Sequence, residues 1–100
     1  MEISSANEII AYLKKNRKFF HEMFGVTRIG IFGSFTREEQ TSSSDIDMVI
    51  EIEKNRKNIH SFLEVKRFLE KELARKIDMG FEHSLKPVIR DKIKGQIIYV

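Results

Sequence analysis

The stretch that most constrains this chain reads Arg28-Ile29-Gly30-Ile31-Phe32-Gly33-Ser34, and after ten further residues comes Asp45-Ile46-Asp47-Met48-Val49-Ile50-Glu51-Ile52. The first segment is almost entirely apolar, which predicts a short buried strand. In the second segment, apolar residues occupy every second position, at Ile46, Met48, Ile50 and Ile52. Because side chains on a strand change face at every residue, Asp45 and Asp47 share one face. The pattern predicts two strands, a turn at Gly33-Ser34, and two carboxylates roughly 7 Å apart along the second strand.

The two carboxylates predict a cation site. They repel each other unless a cation lies between them or one of them takes up a proton. Hard oxygen ligands suit magnesium or manganese, and magnesium usually combines a few protein carboxylates with substrate phosphates. An Asp-x-Asp alone is weaker evidence, since polar residues on an exposed edge strand would produce it and metal-dependent glycosyltransferases also use one.

The turn before them has two interpretations. Gly33 permits a positive φ, which a tight turn needs, and it also lets backbone N–H groups approach a phosphate closely. Ser34 either caps a short helix or, with the helix N-terminus, holds phosphate oxygens. Arg37 is either a surface residue or a phosphate contact. The nucleotide loops G-x-x-x-x-G-K-[ST] and G-x-G-x-x-G are absent from the sequence, which argues against P-loop and dinucleotide-binding folds.

Length and composition predict one small domain over residues 1–100. The chain is 41% hydrophobic, which is ordinary for a globular protein. It has no apolar stretch near the ~20 residues of a membrane span, and Met1–Ser5 lacks the features of a signal peptide. The absence of cysteine excludes disulfides and thiolate metal sites. We therefore expect a cytoplasmic protein with no membrane association.

The net charge of +3 and the pI of about 9.3 fit nucleotide or nucleic-acid binding as well as many other functions. The compact basic run Lys54-Asn55-Arg56-Lys57 is interpreted as a solvated turn. No aromatic residues alternate with basic ones in the way that stacks bases. Direct nucleic-acid binding is therefore not expected.

Helical patterns occupy three parts of the chain. The capping box Ser5-Ala6-Asn7-Glu8 predicts a helix that runs to about Phe20 or Met23, with Gly25 as its stop. A second amphipathic helix is predicted from near Asn58 or His60, with Ser61-Phe62-Leu63-Glu64 as another possible capping box. The predicted last helix runs from about Leu85 to Lys94.

Strand patterns complete the predicted order α-β-β-α-β-α. The predicted strands are Thr27–Phe32, Asp45 to about Glu53, and Lys76–Phe81. A loop or short helix is predicted over Ser34–Ser44, and the end at Gln96–Val100 is predicted to be extended or an edge strand. In the third strand Asp78 faces away from Ile77 and Met79. Surface or capping roles are predicted for the three histidines and for three basic residues near the end of the second helix, namely His21, His60, His83, Lys71, Arg75 and Lys76.

At these residues a family resemblance appears. The stretch Ile31-Phe32-Gly33-Ser34-Phe35-Thr36-Arg37 and the later Ser44-Asp45-Ile46-Asp47-Met48-Val49-Ile50 are similar to the minimal nucleotidyltransferases of the DNA polymerase beta-like superfamily. Lys76-Ile77-Asp78-Met79 resembles the family's third-carboxylate strand. The segment Ser84–Ile93 and the closing Ile98-Tyr99-Val100 resemble its C-terminal helix and tail. The resemblance covers about four-fifths of the chain.

The resemblance implies a small two-layer α/β nucleotidyltransferase fold, with a mixed sheet and helices packed mainly on one face. It implies that Asp45, Asp47 and Asp78 hold two Mg²⁺ ions and act in catalysis. It also implies that Gly33, Ser34 and Arg37 bind the triphosphate of ATP, the substrate.

The resemblance further implies transfer of AMP to an acceptor hydroxyl. Minimal nucleotidyltransferases are commonly paired with a helical HEPN toxin, whose tyrosine they can modify while acting as its antitoxin. A second hypothesis is a binding module that neutralises such a partner by contact, with little or no catalysis. Two positions depart from the family pattern, Thr36 in place of a common Ala and Glu38 in place of a common Gly. Glu38 would place a negative charge near the phosphates.

Overall fold

One four-stranded sheet organises the protein, and a computed structural model describes its residues 5–41, 44–93 and 95–100. The strand order is β3-β2-β1-β4, with β2 antiparallel to β1 and parallel to β3. The helices are α1 (Ala6–Lys15), α2 (Arg17–Phe24), α3 (Ile59–Leu73) and α4 (Pro87–Ile93). The strands are β1 (Val26–Phe32), β2 (Ile46–Ile52), β3 (Ile77–Phe81) and β4 (Ile98–Tyr99). This mixed sheet confirms the predicted fold class.

The core lies on one face of the sheet. The alternating apolar side chains of β2 are at most 2% exposed, and they pack with side chains from α1, α2 and α3. The opposite face carries Asp47 and is covered only in part. On that face Val49 is buried, and a Cβ at Gly30 would meet the side chains of Ile97 and Tyr99. The C-terminal tail therefore shields β1 and leaves polar residues of β2 and β3 accessible.

The first predicted helix is in fact two helices that meet at Asn16. The capping box at Ser5 is confirmed, since the Ser5 side chain accepts a hydrogen bond from the Glu8 N–H at 3.3 Å. Asn16 interrupts the helix because its side-chain amide, at 2.9 Å, and its own N–H, at 3.1 Å, both donate to the carbonyl of Tyr12. The turn directs Phe20 into an aromatic cluster with Phe24 and Phe68.

The second predicted capping box, Ser61 to Glu64, is wrong. The residue that caps α3 is Asn58, whose side-chain oxygen accepts a hydrogen bond from the Ser61 N–H at 2.9 Å. The sequence offered both positions, and a short polar side chain in extended backbone conformation before the first turn is the better acceptor. Lys94, where the last helix was predicted to end, and Ser42 and Ser43 lie outside the described residues.

In the part of the chain that the structure describes, three single-turn 3₁₀ segments connect these elements, at Gly33–Phe35, Lys54–Arg56 and Glu82–Ser84. The segment Lys54–Arg56 covers most of the basic run that was interpreted as a solvated turn. For Arg56 this interpretation is wrong. Its guanidinium donates to the carbonyls of His21, Glu22 and Met23 at 3.2, 3.2 and 2.7 Å. These carbonyls belong to the last turn of α2, so Arg56 closes that helix. In the described ranges no helix is both long and apolar enough to cross a membrane.

The C-terminal caps of α2 and α3 offer a matched stability test. Both caps are left-handed, with Gly25 at φ 73° and Ala74 at φ 50°. Gly25→Ala should destabilise the protein by about 1–2 kcal/mol, because a Cβ is disfavoured at this φ. Ala74→Gly should be neutral or stabilising by up to ~1 kcal/mol, since relief of strain exceeds or offsets the greater freedom of the unfolded chain. Urea unfolding of both variants measures this. Equal losses in both would contradict the strain at Ala74.

Candidate functional site

Two of the predicted carboxylates lie side by side on the open face of the sheet. Parallel pairing of β2 with β3 sets Asp47 directly opposite Asp78, and residues opposite one another in a ladder share a face. Ile46 and Met48 on one strand, and Ile77 and Met79 on the other, anchor this register because all four are buried on the core face. A shift of one residue would bury the two carboxylates, so the apolar pattern fixes their contact.

The turn at Gly33 packs directly against Asp47. Phe32, the last residue of β1, pairs with Asp47, and the chain then turns through Gly33 at φ 79°. A Cβ on Gly33 would overlap the Asp47 carboxylate, lying 2.9 Å from its Cγ. Both the left-handed φ and this close approach require glycine. The predicted turn and the predicted carboxylate therefore lie in direct contact.

Asp45 lies just before β2, which begins at Ile46. The sequence pattern placed it inside the strand, whereas the structure leaves its side chain exposed at the strand's start. It remains close enough to act on Asp47 electrostatically. Among the described residues, no three His, Cys, Asp or Glu side chains are already gathered closely enough to hold a metal ion. The three aspartates are thus neighbours and not a preassembled ligand set.

The electrostatics of Asp47 reflect this crowding. Partial burial raises the pKa of the Asp47 carboxyl above its ordinary value of 3.8, and the nearby Asp78 and Asp45 raise it further. Arg37 acts in the opposite direction and lowers it. A set of hard oxygen donors that repel one another is suited to a divalent cation, which removes the repulsion by binding them. The residues present therefore fit a magnesium site.

Ser34 and Arg37 lie on the turn that follows Gly33. Ser34 does not cap this turn, because the N-cap position is Phe32 and no side chain there makes a capping hydrogen bond. The exposed Arg37 side chain is held at 2.9 Å from Glu39 Oε2 and at 3.1 Å from Gln96 Oε1. Arg37 therefore links the turn to the C-terminal tail, a contact that the sequence pattern did not indicate.

Glu38, in the same loop, occupies a glycine-type conformation. Its φ is 57°, a left-handed value that costs a residue with a side chain about 1 kcal/mol or more. This accounts for the glycine that is common here in the resembled family. The loop nevertheless holds its shape, since the Ser34 carbonyl accepts hydrogen bonds from the N–H groups of Arg37 at 3.2 Å and Glu39 at 2.9 Å.

Arg75 was interpreted as part of a solvated helix end, and this is wrong. The side chain is partly buried, and its Nη1 donates to the carbonyls of Thr41 and Ser44 at 3.1 and 2.8 Å. These residues are more than thirty positions away in sequence and are recognised through their backbone. A sequence pattern carries little signal for such a contact. The three histidines are exposed, in agreement with their predicted surface roles.

A separate concavity of about 550 Å³ lies at the other end of β1, beside Val26 and Thr27. Its wall includes Lys14, Lys15, Arg17, Lys18 and His21. Its volume is in the range of small-molecule binding sites. It contains none of the three aspartates and lies beside the start of β1, whereas the Gly33 turn follows the end of that strand, so it is not the site predicted from the motif.

Several known proteins are similar to this chain in sequence. Residues 13–100 match the family model described as a nucleotidyltransferase domain. A Thermococcus cleftensis protein named protein adenylyltransferase MntA is 32% identical over 100 residues, and the match covers 100% of both chains. A Methanocaldococcus jannaschii protein, named as a candidate protein adenylyltransferase, is 34% identical, and the match covers 98% of this chain and 100% of that one.

Solved structures show the same fold. A structure described as that of a candidate minimal nucleotidyltransferase has a TM-score of 0.78 at 24% identity, with 95% of both chains covered. A crystal structure of a toxin–antitoxin with AMP-PNP has a TM-score of 0.65 at 25% identity, with 93% of this chain and 69% of that chain covered. Sequence and structure therefore point to the same family.

The crowding at Asp47 predicts a pH-dependent gain in stability. In metal-free buffer at about pH 7, Asp47→Asn should be more stable than the wild type, because the amide keeps the side chain's size and removes a disfavoured charge. The folded-state pKa of Asp47 lies above 3.8, so the wild type loses stability as pH rises from that value through the folded pKa. The gain should therefore disappear below about pH 3.

Urea unfolding at both pH values, with the exposed Asp91→Asn on α4 as the matched control, measures this effect. Asp91→Asn should show no such difference between the two pH values. An Asp47→Asn protein that is no more stable than the wild type at pH 7 would contradict the crowding of the three carboxylates.

Proposed function

Because the chain belongs to the nucleotidyltransferase domain family, we propose that it transfers AMP from ATP to a hydroxyl on a protein, the tyrosine of a HEPN-type toxin, and thereby acts as its antitoxin. Two contacts together support the catalytic part of this proposal. Asp47 lies beside Asp78, and the Gly33 turn packs against Asp47. On this proposal, a turn that could hold phosphate oxygens lies next to two carboxylates that could hold a cation.

Asp45, Asp47 and Asp78 would hold the metal, which is two Mg²⁺ ions in the full proposal. Their oxygen donors and the mutual repulsion that raises the Asp47 pKa support this assignment. When bound, Mg²⁺ supplies positive charge that offsets the charge of the triphosphate. The chain's own residues would position the triphosphate and accept the proton.

The turn positions the triphosphate. The backbone of Gly33 can approach phosphate oxygens closely because it carries no side chain, and the Ser34 hydroxyl, which makes no capping bond, can donate to them. Arg37 would exchange its partners Glu39 and Gln96 for the β- and γ-phosphates. Held in this way, the triphosphate presents its α-phosphorus in line with the attacking oxygen.

The transfer step is a displacement at that phosphorus. The acceptor oxygen forms a bond to the α-phosphorus, the bond from this atom to the bridging oxygen breaks, and pyrophosphate leaves. The proton of the acceptor hydroxyl passes to the Asp78 carboxylate, which lies on the outer strand β3 and is exposed. An exposed base at the edge of the sheet is accessible to an acceptor carried by another protein.

The relatives support the proposed acceptor and partner. One similar protein is named a protein adenylyltransferase, and one similar structure is a toxin–antitoxin with AMP-PNP. The names support a protein acceptor, an adenine nucleotide and a toxin partner. The HEPN class and the tyrosine come from the family resemblance of the sequence.

Asp78→Asn should separate binding from catalysis. If Asp78 acts on the acceptor side, the variant should bind magnesium–ATP within a few fold of the wild type yet transfer AMP on the order of 10²-fold more slowly. Calorimetry and transfer of label from α-³²P-ATP to the toxin measure the two quantities. Asp91→Asn, on α4 and exposed, is the matched control and should change neither.

Protection of cells from the toxin is a further readout of the same variant. A catalytic antitoxin should lose protection with Asp78→Asn. If protection survives in both Asp78→Asn and Asp45→Asn, the catalytic proposal fails and neutralisation by contact replaces it.

The proposed binding of phosphate by Ser34 and Arg37 can be tested separately. Arg37→Ala should weaken binding of AMP-PNP about ten-fold, and Ser34→Ala should weaken it about five-fold, because each loses a hydrogen bond to phosphate. Affinity for AMP should stay the same, since the turn contacts only the β- and γ-phosphates. Arg67→Ala, exposed on α3, is the control for lost positive charge. Equal losses for AMP-PNP and AMP would place the turn at the wrong end of the nucleotide.

A further inference from the structure

Arg75 contacts the segment that leads into Asp45. Its Nη1 lies 2.8 Å from the Ser44 carbonyl and 3.1 Å from the Thr41 carbonyl. Thr41 and Ser44 also bond to each other, through the Ser44 N–H to the Thr41 carbonyl at 3.1 Å and the Thr41 N–H to the Ser44 hydroxyl at 2.8 Å. Hydrogen bonds from a charged donor are stronger than those between neutral groups.

The same guanidinium also contacts the turn Gly33–Phe35. Its Cζ lies 5.1 Å from the ring centroid of Phe35, within the range of a cation–π interaction. Phe35 belongs to the Gly33–Phe35 turn and is only 1% exposed. One side chain therefore touches both the turn and the approach to Asp45.

The backbone next to Arg75 completes the constraint on Asp45. The Lys76 carbonyl accepts a hydrogen bond from the Ile46 N–H at 3.0 Å, while Arg75 binds the carbonyl of Ser44. The residues on both sides of Asp45 are therefore tied to positions 75 and 76. The start of β3 is itself anchored, since Glu70 accepts a hydrogen bond from the Ile77 N–H at 2.9 Å.

We propose that Arg75 is a positioning residue for the metal-binding carboxylate of Asp45. It sets the distance of Asp45 from Asp47 and from the Gly33 turn by holding the Ser44 carbonyl and the Phe35 ring together. The metal role of Asp45 rests on the proposed function, whereas the effect of Arg75 on the local backbone does not. A lysine would supply charge without the planar fork and the stacking surface, so it should replace Arg75 only in part.

The chain contains a matched control for this proposal. Arg56 is also partly buried and donates to the carbonyls of His21, Glu22 and Met23, but these belong to the end of α2. Arg56→Met removes comparable hydrogen bonds without touching the segment before Asp45. It therefore reports the loss of stability that any such arginine would cause.

The experiment compares Arg75→Met, Arg75→Lys, Arg56→Met and Asp45→Asn with the wild type. Three quantities are measured in the absence of the toxin: urea stability, the affinity for Mn²⁺ with AMP-PNP by electron paramagnetic resonance, and hydrogen exchange of the Ile46 amide. Arg75→Met should weaken Mn²⁺ binding about ten-fold or more, as is typical when a residue that supports a metal ligand is lost. It should also speed Ile46 exchange beyond what its change in global stability explains.

Arg75→Lys should recover part of both effects, and Arg56→Met should lower stability while leaving Mn²⁺ binding within two-fold of the wild type. The proposal is overturned if Arg75→Met changes stability alone, or if Arg56→Met causes the same loss of Mn²⁺ affinity. Asp45→Asn tests the metal role of Asp45 separately from the positioning role of Arg75. If it leaves Mn²⁺ affinity unchanged, the metal role of Asp45 in the proposed function fails, and Ile46 exchange then decides the positioning role by itself.

Discussion

The contact between the Gly33 backbone and the Asp47 carboxylate is the constraint on which the rest of the site depends. No side chain fits at position 33, because a Cβ there would overlap the carboxylate. Glycine at this position therefore lets the end of β1 pack directly against the Asp47 side chain. Phe32 pairs with Asp47 and Asp47 with Asp78, so the turn, the central carboxylate and the outer carboxylate lie in a single row across three strands.

Such a row is electrostatically unfavourable by itself. Asp47 is partly buried and faces Asp78 and Asp45, and its raised pKa records the cost. Burial of apolar side chains on the opposite face of the same strands offsets this cost. The side chains that are at most 1% exposed there are Ile46, Met48, Ile50 and Ile77. Burial of apolar side chains at this density stabilises the register strongly. One face of these strands thus contributes to the apolar core, and the other face carries the interacting aspartates.

Two arginines bind backbone carbonyl groups far away in the sequence. Arg56 closes α2 through three carbonyls, and Arg75 holds the chain before Asp45 through two. Both were taken for solvated charges, because composition and spacing describe side chains and carry no information on distant carbonyl groups. Glu38 and Ala74 show a related limit, since their left-handed conformations run against their own preferences and are imposed by the loops around them.

The sequence by itself determined the α/β class, the three main strands within a residue or two, the capping of α1 at Ser5 and the stop at Gly25. Periodicity suffices for these, because each depends on neighbours within a few positions. It also indicated the six candidate site residues, by motif and by family resemblance. Only the tertiary structure decided the break at Asn16, the cap of α3 at Asn58, the pairing of Asp47 with Asp78, the fit of Gly33 against Asp47 and the hold of Arg75 on Ser44. These features depend on strand register and on contacts between residues far apart in the chain, and both are set by packing of the whole sheet.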